Sequence, residues 1–244
     1  MRRAAAALAL ALAAFALTAC ETTAQKSARL EAAAKRVGGN SPGIRGLSIT
    51  AVSPVVKAIA AAVVHSSEGT AAIVTLHNDS ATALRDIPIE ITVRDASGAS
   101  IYANTAQGLG RALISAPVIG AHASLTWVDD QIQAKGTPAS VTARVGRSPA
   151  IRGALPSITV AGAHLVEDPS TGPGAAGTVV NRSSIAQREL VVYAVASRGT
   201  RILAAGRAVL PEAAANASTP FQLFFIGDPR GGRLSLSAPA TTLR

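Results

Sequence analysis

The chain has 244 residues, of which 48% are hydrophobic, 15% charged and 3% aromatic, and its formal net charge is +9. This balance excludes a disordered polyelectrolyte, and it predicts a core built from Val, Ile, Leu and Ala. The single cysteine excludes an internal disulfide framework and a cysteine-rich metal site.

Residues 1–19 predict a secretory signal peptide of the lipoprotein type. Arg2 and Arg3 precede an apolar stretch, residues 4–17, which is shorter than the roughly 20 residues that a transmembrane helix needs. The stretch ends in Leu17-Thr18-Ala19-Cys20, which resembles the lipobox of bacterial lipoproteins. The resemblance implies cleavage before Cys20, transfer of a diacylglycerol to its thiol and anchoring to a bacterial membrane outside the cytoplasm. A plain secretory signal is the alternative.

Residues 20–44 are expected to form a lipid-anchored tether that lifts the folded part off the membrane. Their composition predicts a helix over residues 27–37, capped by Ser27 and too short to be stable alone. Its apolar face would carry Leu30, Ala33, Ala34 and Val37. The Gly- and Pro-rich residues 38–43 then end the helix.

From residue 47 onward the pattern predicts short β-strands. Residues 87–94 alternate strictly between apolar and polar, and Pro88 is expected to start this strand or lie on a sheet edge because it has no N–H. The turn at residues 95–98 leads into a second strand over residues 100–106. Further strands are predicted in the first half at 47–52, 55–64, 71–77, 112–116, 124–128 and 140–145. Those of the second half are predicted at 157–164, 175–181, 188–196, 201–210, 219–226 and 233–237.

The second half repeats the first at an offset of 103 residues. Asn78-Asp79-Ser80 returns as Asn181-Arg182-Ser183, and Arg85-Asp86-Ile87 returns as Arg188-Glu189-Leu190. The repeat predicts an all-β protein with two tandem Ig-like antiparallel β-sandwich domains, at 45–147 and 148–244.

Two segments carry a family resemblance. Residues 177–183 (GTVVNRS) resemble the opening of the FxLYD-type domains of bacterial extracytoplasmic proteins, and residues 95–98 (DASG) resemble their turn. The second half departs from the pattern because no Asp precedes Gly199. The resemblance implies an Ig-like fold without a known catalytic site.

Two glycine-containing segments match the residue patterns of catalytic or nucleotide-binding motifs but lack the structural context that these motifs need. Residues 39–43 fit the G-x-S-x-G nucleophile elbow, but Pro42 has no N–H for an oxyanion, so a linker turn is expected. Residues 172–177 fit G-x-G-x-x-G but lead into a β-pattern, so a loop between strands is expected. We therefore predict no catalytic residue, no cofactor and no enzyme activity.

The histidines and paired acids give no strong metal signal. His77 and Asp79 could bind a metal weakly, although turn chemistry is the preferred interpretation. Asp129 and Asp130 follow a predicted strand and are expected in a solvated loop, since a calcium site needs more oxygen ligands. We predict no metal site.

Four aromatic residues are candidates for an interface. Trp127 is expected to be a core or rim anchor, with an exposed sugar or protein contact as the alternative. Phe221, Phe224 and Phe225 lie on a strand that is apolar on both faces, which is typical of a central or covered strand. The hypothesis is that an interdomain or protein interface hides this strand.

The sequence thus predicts a lipid-anchored cell-envelope protein with a non-catalytic protein-interaction or structural spacer role. The alternative is a module that binds wall polymer or glycan through residues 148–244, which carry nine basic and five acidic residues. An envelope enzyme is a remote alternative. The export signal makes nucleic acid an unexpected partner, and the oligomeric state stays open.

Overall fold

The computed structural model describes residues 23–38, 46–168 and 172–244. The predicted signal peptide and Cys20 lie outside these residues. One α-helix, α1 (Thr23–Gly38), precedes a body made of antiparallel strands, with a short 3₁₀ helix at Arg111–Leu113. In these ranges no helix combines the length and the apolarity needed to cross a membrane. The prediction of an all-β sandwich fold is confirmed.

Fourteen strands are formed by the described residues. Those of the first half are β1 (Val56–Ser66), β2 (Gly69–Asn78), β3 (Leu84–Arg94), β4 (Ser100–Ala103), β5 (Ser115–Ile119), β6 (Ser124–Asp129) and β7 (Ser140–Val145). Those of the second half are β8 (Ile158–Asp168), β9 (Gly172–Asn181), β10 (Gln187–Arg198), β11 (Arg201–Ala213), β12 (Ala217–Phe224), β13 (Ile226–Gly227) and β14 (Arg233–Ser237).

The two halves pair their strands in the same way. In the first half β2 lies between β1 and β6, while β3 pairs with β4, β5 and β7. In the second half β9 lies between β8 and β12, while β10 lies between β11 and β14. The sequence repeat therefore corresponds to a repeat of topology.

Asn78 and Asn181 hold the repeated turn through equivalent contacts within it. Each side-chain amide donates to a carbonyl four residues further on, that of Thr82 (2.8 Å) or Ile185 (2.9 Å). Each amide oxygen accepts the N–H of the serine two residues on, at 3.1 and 3.0 Å. Both asparagines are buried. A buried amide needs such partners, and this requirement explains why the same residue types recur.

The halves differ in the strand beside the central one. In the second half the single strand β11 lies beside β10 along its whole length. In the first half β4 and β5 take this place, and residues 104–114 form an insertion between them. The buried side chain of Asn104 fills the gap in the ladder: its oxygen accepts the N–H of Ile91 (2.8 Å), and its amide donates to the carbonyls of Ile89 and Leu113 (both 2.8 Å).

The four sheets stack in the order β3 sheet, β2 sheet, β10 sheet and β9 sheet. The side chains of β10 alternate between two cores. Val191, Tyr193 and Val195 pack into the core of the first half, whereas Leu190 and Val192 pack into that of the second. The two inner sheets are therefore covered on both faces, and the halves share continuous apolar packing.

Most predicted strands are confirmed, but three segments are corrected. The strand predicted at 112–116 begins in the 3₁₀ helix, and β5 starts only at Ser115. Residues 47–52 are not a strand and contribute one isolated bridge, between Val52 and Gly146. Residues 172–177 are not a loop but the first part of β9. A Cβ on Gly177 would lie 3.0 Å from the ring of Phe221, so the glycine lets the aromatic ring lie flat over the strand.

The prediction that Pro88 begins the strand or lies on an edge is also wrong. Pro88 lies inside β3, which has partners on both sides. Pro88 is the last residue of β3 that pairs with β5, where it lies opposite Ser115. The next residue, Ile89, is the first that pairs with β7, where it lies opposite Val145. A proline is tolerated at this position because the ladder changes partner there.

Candidate functional site

The most unusual chemistry of the molecule is a buried group of charges that we call the junction cluster, formed by Glu31 of α1, Asp130 after β6 and Arg207 of β11. Arg207 donates from Nε to Asp130 (2.8 Å) and from Nη2 to Glu31. The backbone N–H of Arg207 also donates to Asp130 (3.3 Å). All three residues are at least 95% buried, so the cluster ties the helix and both halves together in an apolar setting.

The strand register explains why Arg207 lies inside the protein. It lies opposite Tyr193 on β10, and side chains alternate along β11. Ala205 and Val209, two residues away on either side, pack against the core of the first half. Arg207 shares their face and therefore enters the packing between the halves, where Asp130 at the end of the β2 sheet meets it.

Polar contacts hold α1 in place. Ser27 Oγ donates to Asp130 (2.8 Å), and Gln131 Nε2 donates to Glu31 (2.7 Å). Lys26 Nζ lies 4.4 Å from the centroid of the Phe224 ring, within cation–π range.

Only one side chain of the apolar face predicted for the helix is described. Leu30 is 47% exposed, and the side chains of Ala33, Ala34 and Val37 lie outside the described residues. The helix is also longer than the predicted residues 27–37, so Ser27 lies one turn inside it and is not the cap. Lys26, Ser27 and Glu31, which belong to the segment predicted as a tether, contact the body.

Asp129 extends the cluster with a further carboxyl group. It is fully buried, accepts the N–H of Gln131 (3.0 Å) and accepts the hydroxyl of Tyr102 (3.2 Å). Burial raises its pKa to about 7, and Arg207 only partly opposes this effect. Burial also raises the pKa of Asp130. Three carboxyl groups surround one guanidinium, and a proton on Asp129 relieves the excess of negative charge.

The pKa of Arg207 is raised as well. Burial alone would lower it, but the carboxylates of Glu31, Asp130 and Asp129 outweigh burial, so Arg207 stays charged. Burial also raises the pKa of Tyr193 and keeps this phenol neutral. In the part of the chain that the structure describes, neither Arg207 Nη1 nor the Tyr193 hydroxyl has a hydrogen-bond partner.

A cavity of about 330 Å³ lies beside the cluster, between α1, β11 and β12. Leu30, Val209, Leu223 and Phe224 form much of its wall. The arrangement can bind a proton near neutral pH and can lock the helix onto the body.

The four predicted interface aromatics are all buried. Trp127 is a core residue of the first half, and its Nε1 donates to the carbonyl of Ala112 (2.9 Å), so the exposed alternative is wrong. Phe221 and Phe225 belong to the core of the second half. Phe224 lies on the other side of β12, beneath Lys26 of α1.

The prediction of a solvated loop at Asp129 and Asp130 is wrong. Their burial has a tertiary cause, because Arg207 and α1 cover the end of β6. Sequence reasoning did not single out Arg207 or Glu31. The available signal was one arginine within an otherwise apolar strand, residues 202–210.

The remaining candidates are placed as follows. His77 contacts Ser124 Oγ (2.9 Å) and lies 3.4 Å from Asp79. Among the described residues no three or more His, Cys, Asp or Glu side chains are grouped to hold a metal ion. Residues 39–43, which match the nucleophile elbow, lie outside the described residues, as does Cys20.

Comparison with known proteins finds no matching family model and no matching curated protein.

Proposed function

We propose that the protein is a lipid-anchored, non-catalytic component of a bacterial cell envelope. In this proposal Cys20 carries the lipid, and the stacked sandwiches act as a protein-interaction or spacer body. The junction cluster sets how this body is held relative to its anchor. The proposal rests on the lipobox-like residues 17–20 together with the docking of α1.

The observation that carries the proposal is the small number of residues between Cys20 and the docked helix. Helix α1 begins three residues after Cys20. Three residues span at most about 11 Å when fully extended. Since Glu31 and Ser27 fix α1 to the junction of the halves, the body is held close to the lipid. A flexible tether of 25 residues would instead leave the ends roughly 25–30 Å apart on average.

The edge strand β8 supports an interaction role. Among the strands that the structure describes it pairs only with β9, and its middle residues, 161–165, are exposed. A bulge between Ala161 and His164 interrupts its ladder, which is a common protection against unspecific strand pairing. The edge still offers backbone groups to an extended peptide, which can add as a further strand.

The anchor is tested by feeding cells an alkyne-tagged palmitate and comparing the full-length wild type with Cys20→Ser. The wild type should carry the label and sediment with membranes, while Cys20→Ser should lose both properties. The test is clean because the chain has one cysteine. An unlabelled wild type, or a membrane-bound Cys20→Ser that keeps its label, would refute the lipid anchor.

The interaction role is tested by photo-crosslinking in living cells. A photoreactive residue replaces Ala163 on the exposed edge of β8 in the full-length protein, and the control carries it at Ser97, an exposed turn of the first half. One recurring protein captured at Ala163 and absent at Ser97 supports the role. Capture of wall fragments alone would move the assignment to polymer binding, and capture of nothing would leave a passive spacer.

A further inference from the structure

Three arginines lie at one end of the second half. Arg198 ends β10, Arg201 begins β11 and Arg233 begins β14. The strand register places Arg198 directly opposite Arg201, so these two side chains share one face of the sheet. Arg233 lies opposite Ser197 and therefore occupies the other face. Adjacent strands are about 4.8 Å apart, so three positive charges flank one end of the sheet on three neighbouring strands. We call this surface the arginine end.

The repeat shows that the fold does not require these charges. By register, Asp95, Ala99 and Ser140 occupy the equivalent positions in the first half. The same hairpin and the same neighbouring strand therefore form with one acid and two small residues. The arginines of the second half must be explained by something other than the scaffold.

The arginine end is also not neutralised locally. All three arginines are exposed, and in the described ranges none of them is in an ion pair. The neighbouring acids Asp228 and Glu167 are both engaged by Arg230, at 2.9 and 3.7 Å.

Arg198 is held in position by the adjacent turn. Its Nε donates to the carbonyl of Gly231 (3.2 Å), which keeps the guanidinium beside the turn that precedes Arg233. The remaining N–H groups of the guanidinium are left for a ligand. Like charges directly opposite each other destabilise a sheet, and a bound anion would remove this repulsion.

We propose that the arginine end binds a soluble polyanion that carries several phosphate groups. Guanidinium groups match phosphate oxygens in geometry and charge. A membrane surface is the less suitable anion, because peripheral membrane-binding surfaces combine basic residues with exposed apolar side chains. The exposed large hydrophobic residues of the described chain, Leu30, Val52, Ile59, Leu155 and Leu165, lie on none of the three strands that carry the arginines. This inference does not depend on the lipid at Cys20.

The test measures binding of inorganic polyphosphate to the full-length protein in neutral detergent at several salt concentrations. The variant Arg198→Gln/Arg201→Gln/Arg233→Gln should bind at least 10-fold more weakly at low salt. The slope of log affinity against log salt should fall by about 2 to 3, since each neutralised phosphate contact contributes slightly less than 1.

The matched control is Arg147→Gln/Arg152→Gln/Arg182→Gln, which removes the same charge from exposed positions elsewhere. It should keep wild-type affinity within about twofold. Equal losses in both variants would show attraction by net charge alone and overturn the site. So would a wild type that fails to bind polyphosphate, or one that binds only vesicles of anionic phospholipid.

Discussion

Asp129 should make the stability of the protein depend on pH near neutrality. The carboxyl group is fully buried, and burial raises its pKa to about 7 in the folded state, against 3.8 for the ordinary side chain. The folded protein therefore holds a proton that the unfolded chain releases. This contribution to stability is fully present below pH 3.8 and is lost as the pH rises through 7.

The size of the effect follows from the two pKa values. Between pH 5.5 and pH 8 the folded carboxyl group loses its proton while the unfolded one is already ionised. The free energy of unfolding should therefore fall by about 2 kcal/mol over this range. Asp129→Asn keeps the shape of the protonated acid and does not titrate, so its stability should be nearly flat and should exceed that of the wild type at pH 8.

Urea unfolding followed by tryptophan fluorescence measures this difference, because Trp127 is the single tryptophan and is buried. Asp228→Asn is the control. The hydrogen bond from Arg230 holds the pKa of this exposed carboxyl group below its ordinary value, so it stays ionised throughout the range. A wild type whose stability is the same at pH 5.5 and pH 8, or an Asp129→Asn variant with the full wild-type pH dependence, would refute the reasoning.

Three further predictions concern stability, each measured by urea unfolding. Arg207→Met should cost about 3–5 kcal/mol, because it leaves the two carboxylates of the junction cluster buried without their cation; a cost below about 1 kcal/mol would contradict this. Asn78→Ala and Asn181→Ala should each cost about 1–3 kcal/mol, because each removes the same buried bonds within the turn; a cost below about 0.5 kcal/mol for either would contradict this. Gly206→Ala should cost about 1–3 kcal/mol, because its methyl group would meet the carbonyl oxygen of Phe224; wild-type stability would argue against so close a strand contact.

Local pattern was enough to predict most of the strands. Alternation along residues 87–94 and the turn at residues 95–98 identify β3 and its hairpin, since a half-buried strand and a turn are decided by neighbouring residues. The recurrence of Asn78 and Asn181 at a fixed offset identified two units with the same turn, and the contacts of the two asparagines agree.

The candidate site could not be predicted in this way. Glu31 and Arg207 are 176 residues apart, and nothing in their local sequences marks them as partners. A charged residue ordinarily indicates a solvated position, which is why a loop is the natural expectation for Asp129 and Asp130. The apolar run around Phe221 is covered on both faces as expected, but its covers could not be predicted: Phe221 and Phe225 lie in the core of the second half, and Phe224 lies beneath α1. No local pattern indicated that β10 is shared by two cores.

The separation of Glu31 and Arg207 in the sequence also affects the order in which the protein is synthesised and folded. Helix α1 is synthesised early, but its anchor on β11 follows 176 residues later. At roughly 5–20 residues per second, synthesis of this interval takes about 10 to 35 s. Until Arg207 is made, α1 can reach only Asp130 and Gln131 of the first half, so the junction cluster is incomplete while modifying enzymes act on the proposed lipid-attachment site at Cys20. Closure of the junction cluster would then be among the last steps of maturation and would bring the finished body to a membrane anchor that is already in place.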